Sequence, residues 1–555
     1  MKKLIIINLL LVWGIISFAQ GIYNNGAHIV STSGSYWVVD NGSFTLTSNS
    51  STSPTQFDNL VITNDASLTL GSASTPTYLT ISNGFSMTNP ATVTIPSGSS
   101  GSSSLIVGTV SGTGSFTVNR YITGASLDWH LLSSPVTSQE ISGDFTPGGS
   151  DYDFYYYSEP LNLWVNRKNT NAAPTDDPPQ FDDAEGNGSL SFVAGRGYLA
   201  AYNVVNTKSF AGSINQGTIQ QAVTINGSTE YQGANLLGNP YPSSIDWKTD
   251  DGWTRGMLRN DAETGTGYSM YIWNETANNY GTFISNGSDE SGTNSVTRYI
   301  PPMQGFFVMA ASAGTFQMTE EVCVHESVSS WLKNTEVYPN IIRLKISNPD
   351  YGSDEVVLED NQTNKGGAQK WFSFVETAPS LWIDFEEEQY SILLNDIDQD
   401  ENHFPIGFKP GIEEQYSITA SFDPASYMDL ILEDKKLNNY HNLLESPNYN
   451  FYSTSLDDPD RFVLHFSAVG LDELENISKP IQIYSIGKEL TIINNNNLGG
   501  KVTVVNIMGQ TIMEYSLDKA NSQTYTFNAP TGVYIVYTKT DNGYIYSEKI
   551  IMNEL

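Results

Sequence analysis

The sequence runs to 555 residues, with 26 Lys+Arg against 60 Asp+Glu, a formal net charge of −34 and one cysteine. A field of that sign repels phosphate backbones and anionic membrane surfaces, which argues against nucleic acid as a partner, and a lone cysteine excludes an intrachain disulfide framework. Charged residues make up only 15% while Tyr, Phe, Ser, Thr, Asn and Gly abound, so several domains of roughly 150 residues each are expected in an almost all-β protein.

At the N-terminus, Lys2 and Lys3 precede an apolar run from Leu4 to Phe18 that closes on Ser17-Phe18-Ala19. This pattern is expected to be a signal peptide over residues 1–19, with cleavage leaving Gln20 first. No later stretch is long and apolar enough to span a bilayer, so no transmembrane segment is expected once it is removed.

Residues 20–118 lack Lys and Arg between Lys3 and Arg120 and are rich in Ser, Thr, Asn and Gly. Apolar pairs recur through them: Leu60 with Ile62, Leu68 with Leu70, Leu79 with Ile81, Phe85 with Met87, Val93 with Ile95, and Leu105 with Val107. Each pair places two side chains on one side of a strand. Separated by short polar turns, they predict a few coils of parallel β-solenoid.

From Arg120 the texture becomes aromatic, with DWHLLSSPV, DYDFYYY, RGYLAAY, LLGNPYPSSIDW, YSMYIWN and IPPMQGFFVMA. Residues 119–324 are expected to form a β-sandwich with decorated loops. A second sandwich is expected over residues 325–478, from DEVVLED, LWIDFEEEQYSILL, QYSITASF, YMDLILEDKK and DRFVLHF. A last compact unit is expected over residues 479–555.

That last unit reads KVTVVNIMGQTIMEYSL from Lys501, then TGVYIVYTKTDNGYIYSEKIIM from Thr531, where Asn542-Gly543 suits a two-residue hairpin turn. It resembles the type A C-terminal sorting domain of the type IX secretion system of Bacteroidota, an Ig-like β-sandwich. The matching positions are Gly509 in Met508-Gly509-Gln510, then Gly532, Val533 and Tyr534 opening a strand, and Lys549 in the final strand. Gly509 and Gly532 are expected at turns. The Pro-Asn-Pro that often opens such domains is missing, and Asn494 to Asn497 stand near its place. The resemblance implies passage by the Sec route and then the type IX translocon, with removal of the domain by its C-terminal signal peptidase. The product would be secreted or held at the outer-membrane surface. Residues 128–247 similarly resemble a region of secreted, adhesin-like multidomain proteins of these bacteria, through DWHLLSSPV, GYLAAY and LLGNPYPSSIDW.

Chemistry is sparse. The histidines, His28, His130, His325, His403, His441 and His465, show no metal-ligand spacing, and HExxH, GxSxG and phosphate-binding glycine motifs are absent. Asp396, Asp398 and Asp400 alternate, and Asp176, Asp177, Asp182, Asp183 and Glu185 crowd a loop; both clusters offer oxygen ligands to Ca²⁺ and are otherwise solvated acidic loops. Asp384, Glu386, Glu387 and Glu388 read as a strand's polar face beside Trp382, and also as carboxylates available for glycoside hydrolysis. Tyr241, Trp247, Trp253 and Trp273 are candidate ligand-stacking aromatics, although for LLGNPYPSSIDW the favoured reading is a crossover kinked by Pro240 and Pro242 and capped by a buried Trp.

The expectation is a secreted or cell-surface protein without catalysis or cofactor, adhesive or binding a glycan or protein ligand. The alternatives are a carbohydrate-active enzyme and a structural surface-layer component.

Overall fold

A computed structural model describes residues 33–552, apart from residues 48–49, 123–127, 142, 147–152, 167–190, 203–204, 227–230, 327–337, 398–402, 467–480, 487, 495–497, 521, 527–528 and 542–544. The expected signal peptide and the acidic loop from Asp176 to Glu185 lie outside the described residues. Among the described residues, strands dominate, the only helices are two short 3₁₀ turns, and no helix is long and apolar enough to cross a membrane. The chain divides into two compact units, residues 1–259 with 299–331, and residues 260–298 with 332–555.

The first unit begins as a solenoid. The strands Tyr36–Asp40, Thr55–Thr63, Tyr78–Met87 and Ser104–Gly112 form one parallel sheet. Ser43–Leu46, Ser67–Ser72, Thr92–Ile95 and the start of Ser115–Ile122 form the other. Register stacks like on like: Trp37, Leu60, Phe85 and Val110 make one column, and Phe44, Leu68, Val93 and Phe116 make another. Phe85 and Phe116 meet edge to face at 5.7 Å. All the apolar pairs singled out in the sequence are buried, so the period-2 signal was a true inner face.

The solenoid does not stop at residue 118. Ser115–Ile122 runs on and takes Asn206–Gly212 as an antiparallel neighbour, which covers an edge that would otherwise expose unpaired backbone groups. One hydrophobic core accordingly continues from Leu46 to Met303. Around it stand small antiparallel groups, including Trp129–Leu132, Tyr198–Ala201, Asp153–Ser158 and Leu163–Asn166 in one sheet, and the pair Ala234–Gly238 with Gly305–Met309.

In the second unit, eleven strands among the described residues form one sheet around a core that includes Leu344, Ile383, Phe408, Ile418, Phe451 and Phe462, with a smaller buried cluster of Ile341, Val357, Ala368, Ile392 and Leu394 beside it. Residues 260–298, which the sequence placed inside the preceding domain, belong to this unit. Their hairpin, Ser269–Asn274 with Asn279–Ile284, is tied in by the buried Asn279, whose side-chain amide donates to the carbonyls of Ser353 and Pro379, both at 2.9 Å. Such an insertion leaves no compositional break, because the ties are formed with residues far along the chain.

Candidate functional site: the C-terminal sorting domain

The C-terminal residues build a two-layer sandwich. Ile481–Ile486, Glu489–Asn494 and Ser522–Thr526 form a three-stranded sheet; Thr511–Leu517, Gly500–Asn506, Gly532–Thr540 and Ile545–Met552 form a four-stranded one. Alternating residues from both sheets, Ile481, Ile483, Leu490, Ile492, Val502, Val504, Leu517, Tyr534, Val536 and Ile550, fill the space between them. The hairpin at the end of the chain pairs Gly532 with Met552 through to Lys539 with Ile545, while its turn at residues 542–544 lies outside the described residues.

Each expected motif residue has a distinct place. Gly509 adopts a φ of 75°, the turn geometry expected of it. Gly532 does not: it opens its strand without a positive φ, and a Cβ there would meet Tyr534 at an ordinary 3.6 Å. Val533 is half-buried, and the buried Tyr534 donates its hydroxyl to the Pro530 carbonyl at 2.8 Å, fixing the entry to the strand. Lys549 is exposed and lies across from Ile535.

Sequence reading missed the tip of this domain. The Asn506 side-chain oxygen accepts from the backbone N–H of Met508 and of Gln510, both at 3.0 Å, and its amide donates to Gln510 Oε1 at 2.9 Å. Gly509 N–H closes the turn on the Asn506 carbonyl at 2.9 Å. The turn is thus rigid, yet it holds Ile507 76% and Met508 75% exposed. Exposed Ile535 and Ile545 lie on the same four-stranded sheet as the strands this turn joins. The sequence signal was there in Asn506-Ile507-Met508-Gly509-Gln510, an Asn/Gly turn with apolar residues at its apex.

Three of the four aromatic candidates are core residues instead, and the fourth is half-buried. Tyr241 is 2% exposed and donates its hydroxyl to the carbonyls of Gly217 and Met318, both at 3.0 Å. Trp247 is wholly buried between Trp253 and Phe306. Trp253 is half-buried and donates Nε1 to the Asp246 carbonyl at 3.0 Å. Trp273 is buried under Phe374, stacked at 4.0 Å. The prolines beside Tyr241 therefore shape a crossover over a buried Trp, because bulky rings gain more by filling the core than a loop gains by presenting them.

The carboxylates are also placed differently. Glu386 and Glu387 are not on a strand; they form the two-residue turn between Ser380–Phe385 and Glu388–Asn395, with φ of 49° and 69°. Trp382 Nε1 donates to both oxygens of Asp384, at 2.9 and 3.0 Å, while burial pushes that carboxyl above its usual range. Of the calcium candidates, Asp396 accepts from Gln362 Nε2 at 3.0 Å, and Asp398 and Asp400 lie outside the described residues. Among the described residues no group of His, Cys, Asp and Glu is arranged to hold a metal ion. Strand register does bring His403 beside His465, with rings 5.9 Å apart and His465 bonded to Glu433 at 2.9 Å. A polar cavity of about 40 Å³ beside Arg343 and Glu355 has room for water but not for a sugar ring.

These features define an all-β protein of solenoid and sandwich parts that carries an export domain. Residues 27–466 match the family described as a domain of unknown function (DUF8693), and the chain belongs to that family. Residues 487–553 match the secretion system C-terminal sorting domain, so the chain carries the address of a secreted or surface-exported protein. No curated protein matches it. A solved structure described as "Biofilm associated protein - BSP domain" is similar over 79% of this chain and 92% of that one, at 8% identity and a TM-score of 0.12.

Proposed function

We propose that this is a non-catalytic binding protein displayed at, or released from, the cell surface after type IX secretion, with an adhesive role toward a glycan or protein surface. The observation that carries the reading is the attachment of a folded sorting domain to a long all-β body. The sorting domain's partners are the translocon and the peptidase that removes it, and the rigid turn at Ile507 and Met508 is the part offered to them. Since Tyr241, Trp247 and Trp273 are buried, ligand contact falls to the exposed surface rather than to those rings.

The test is to incubate the full chain with a panel of polysaccharides and matrix proteins, recording bound material and released fragments together. Retention without fragments supports the reading. Released fragments replace it with a carbohydrate-active enzyme that uses loop carboxylates, and self-association without ligand retention replaces it with a surface-layer component.

A further inference from the structure

A chain with one cysteine that works outside the cell has no intrachain disulfide to brace it, and the second unit holds a pair suited to another covalent brace. Asp354 and Lys370 are in direct contact through Oδ2 and Nζ, and both side chains are wholly buried. Among the described residues the Lys370 amine bonds Asp354 alone, so an ammonium with three donors finds one acceptor. We propose that these two side chains condense into an intramolecular amide cross-link.

The surroundings of Asp354 divide its two oxygens by role. Oδ1 accepts from Asn294 Nδ2 at 3.1 Å and from the Glu355 backbone N–H at 2.9 Å. Two fixed donors on one oxygen stabilise the negative charge that grows there as the carbonyl carbon becomes tetrahedral. Oδ2 faces Nζ and accepts the Leu381 backbone N–H at 2.8 Å, which marks it as the leaving oxygen.

The step balances without an outside reagent. One proton passes from Nζ to Oδ2, giving an amine and a carboxylic acid. The amine lone pair then attacks Cγ, Oδ2 takes a second proton from Nζ, and the Cγ–Oδ2 bond breaks to release water. The product is an Nζ–Cγ amide that keeps one proton, and both charges have left the interior, removing the desolvation cost of the ion pair.

Asn294 is the catalytic residue here, since it touches the reacting carboxyl, and it is held for that role. Its backbone takes a φ of 45°, its N–H donates to Glu355 Oε2 at 2.7 Å, and Nδ2 also donates to the Tyr280 carbonyl at 2.9 Å. Tyr280 in turn packs edge to face on Trp371, the residue after Lys370, and Trp371 stacks on Tyr271 at 4.7 Å. Rings around the site exclude the water that hydrolysis of the product would need.

The test is intact mass and peptide mapping of the full chain, denatured before digestion. The cross-link predicts a mass one water below that of the polypeptide, with the peptides containing Asp354 and Lys370 joined; Lys370→Arg restores the full mass. Asn294→Ala slows linkage by about a hundredfold, the effect of losing one such donor, so freshly made protein carries mostly unlinked peptides. Full mass with separate peptides in the unsubstituted chain overturns the proposal, as does a water lost at any other pair. Because that chain's own map decides the matter, poor folding of a variant leaves the test intact.

Discussion

Replacing Asp434 with Ala tests whether the second unit depends on a buried ionic centre. Asp434 is 0% exposed and Arg461 2%. Arg461 grips the carboxylate with two bonds, Nε to Oδ1 at 2.9 Å and Nη2 to Oδ2 at 2.6 Å, while the Tyr449 hydroxyl donates to Oδ2 at 2.9 Å. In Asp434→Ala the guanidinium keeps only the Tyr452 carbonyl at 3.0 Å and Asp457 at 3.2 Å, and the Tyr449 hydroxyl loses its acceptor. A buried charge deprived of every partner costs about 3–5 kcal/mol; with Asp457 retained the loss approaches that figure from below, which in a unit of this size lowers Tm by up to roughly 6–20 °C. Scanning calorimetry of the full chain reads the shift. The control is Lys436→Ala, whose partly exposed ammonium bonds the rim of the same network at Asp457 and is worth about 1 kcal/mol or less. A loss below about 1 kcal/mol in Asp434→Ala, or equal losses in both variants, would mean that the second unit does not depend on this ionic centre.

Other outcomes follow from the same physics. His325 pins two solenoid strands, its ring nitrogens bonding the Thr80 and Ser104 hydroxyls at 2.9 Å each, and burial pushes its imidazole down from 6.5 to about 4. The unfolded chain therefore binds this proton more readily, so about 3 kcal/mol of stability is present above pH 6.5 and is lost as pH falls through 4; His325→Gln, followed by denaturant titration across that range, should flatten this dependence. Trp247→Ala empties a fully buried site and should cost about 3–5 kcal/mol in calorimetry, with retention on any ligand unchanged at a temperature where the variant stays folded. Ile507→Asp with Met508→Asp should leave folding stability within about 0.5 kcal/mol, as both side chains are exposed, yet reduce the surface fraction in cells.

What the sequence made legible was whatever depended on local period. The solenoid pairs from Leu60 to Val107 and the strands of the sorting domain were readable because side chains alternate along a strand and the turns between carry Gly and Asn. The sequence also offered Tyr241 and Trp247 as surface candidates, since an aromatic looks the same in a binding loop and in a core until its neighbours are known. Glu386 and Glu387 read as part of a strand because acidic residues are poor markers of a tight turn, although both take positive φ. Residues 260–298 and the Asp354–Lys370 pair were invisible for a common reason: each depends on contacts set by register between distant strands.

Export of this β-rich body rests on its C-terminal sandwich. The measurement is surface accessibility in the native cell, by protease shaving or labelling, of the full chain against one lacking residues 487–553. The full chain should reach the surface or medium, and the shortened chain should accumulate, folded, in the periplasm. Surface display of the shortened chain at the level of the full one would contradict it.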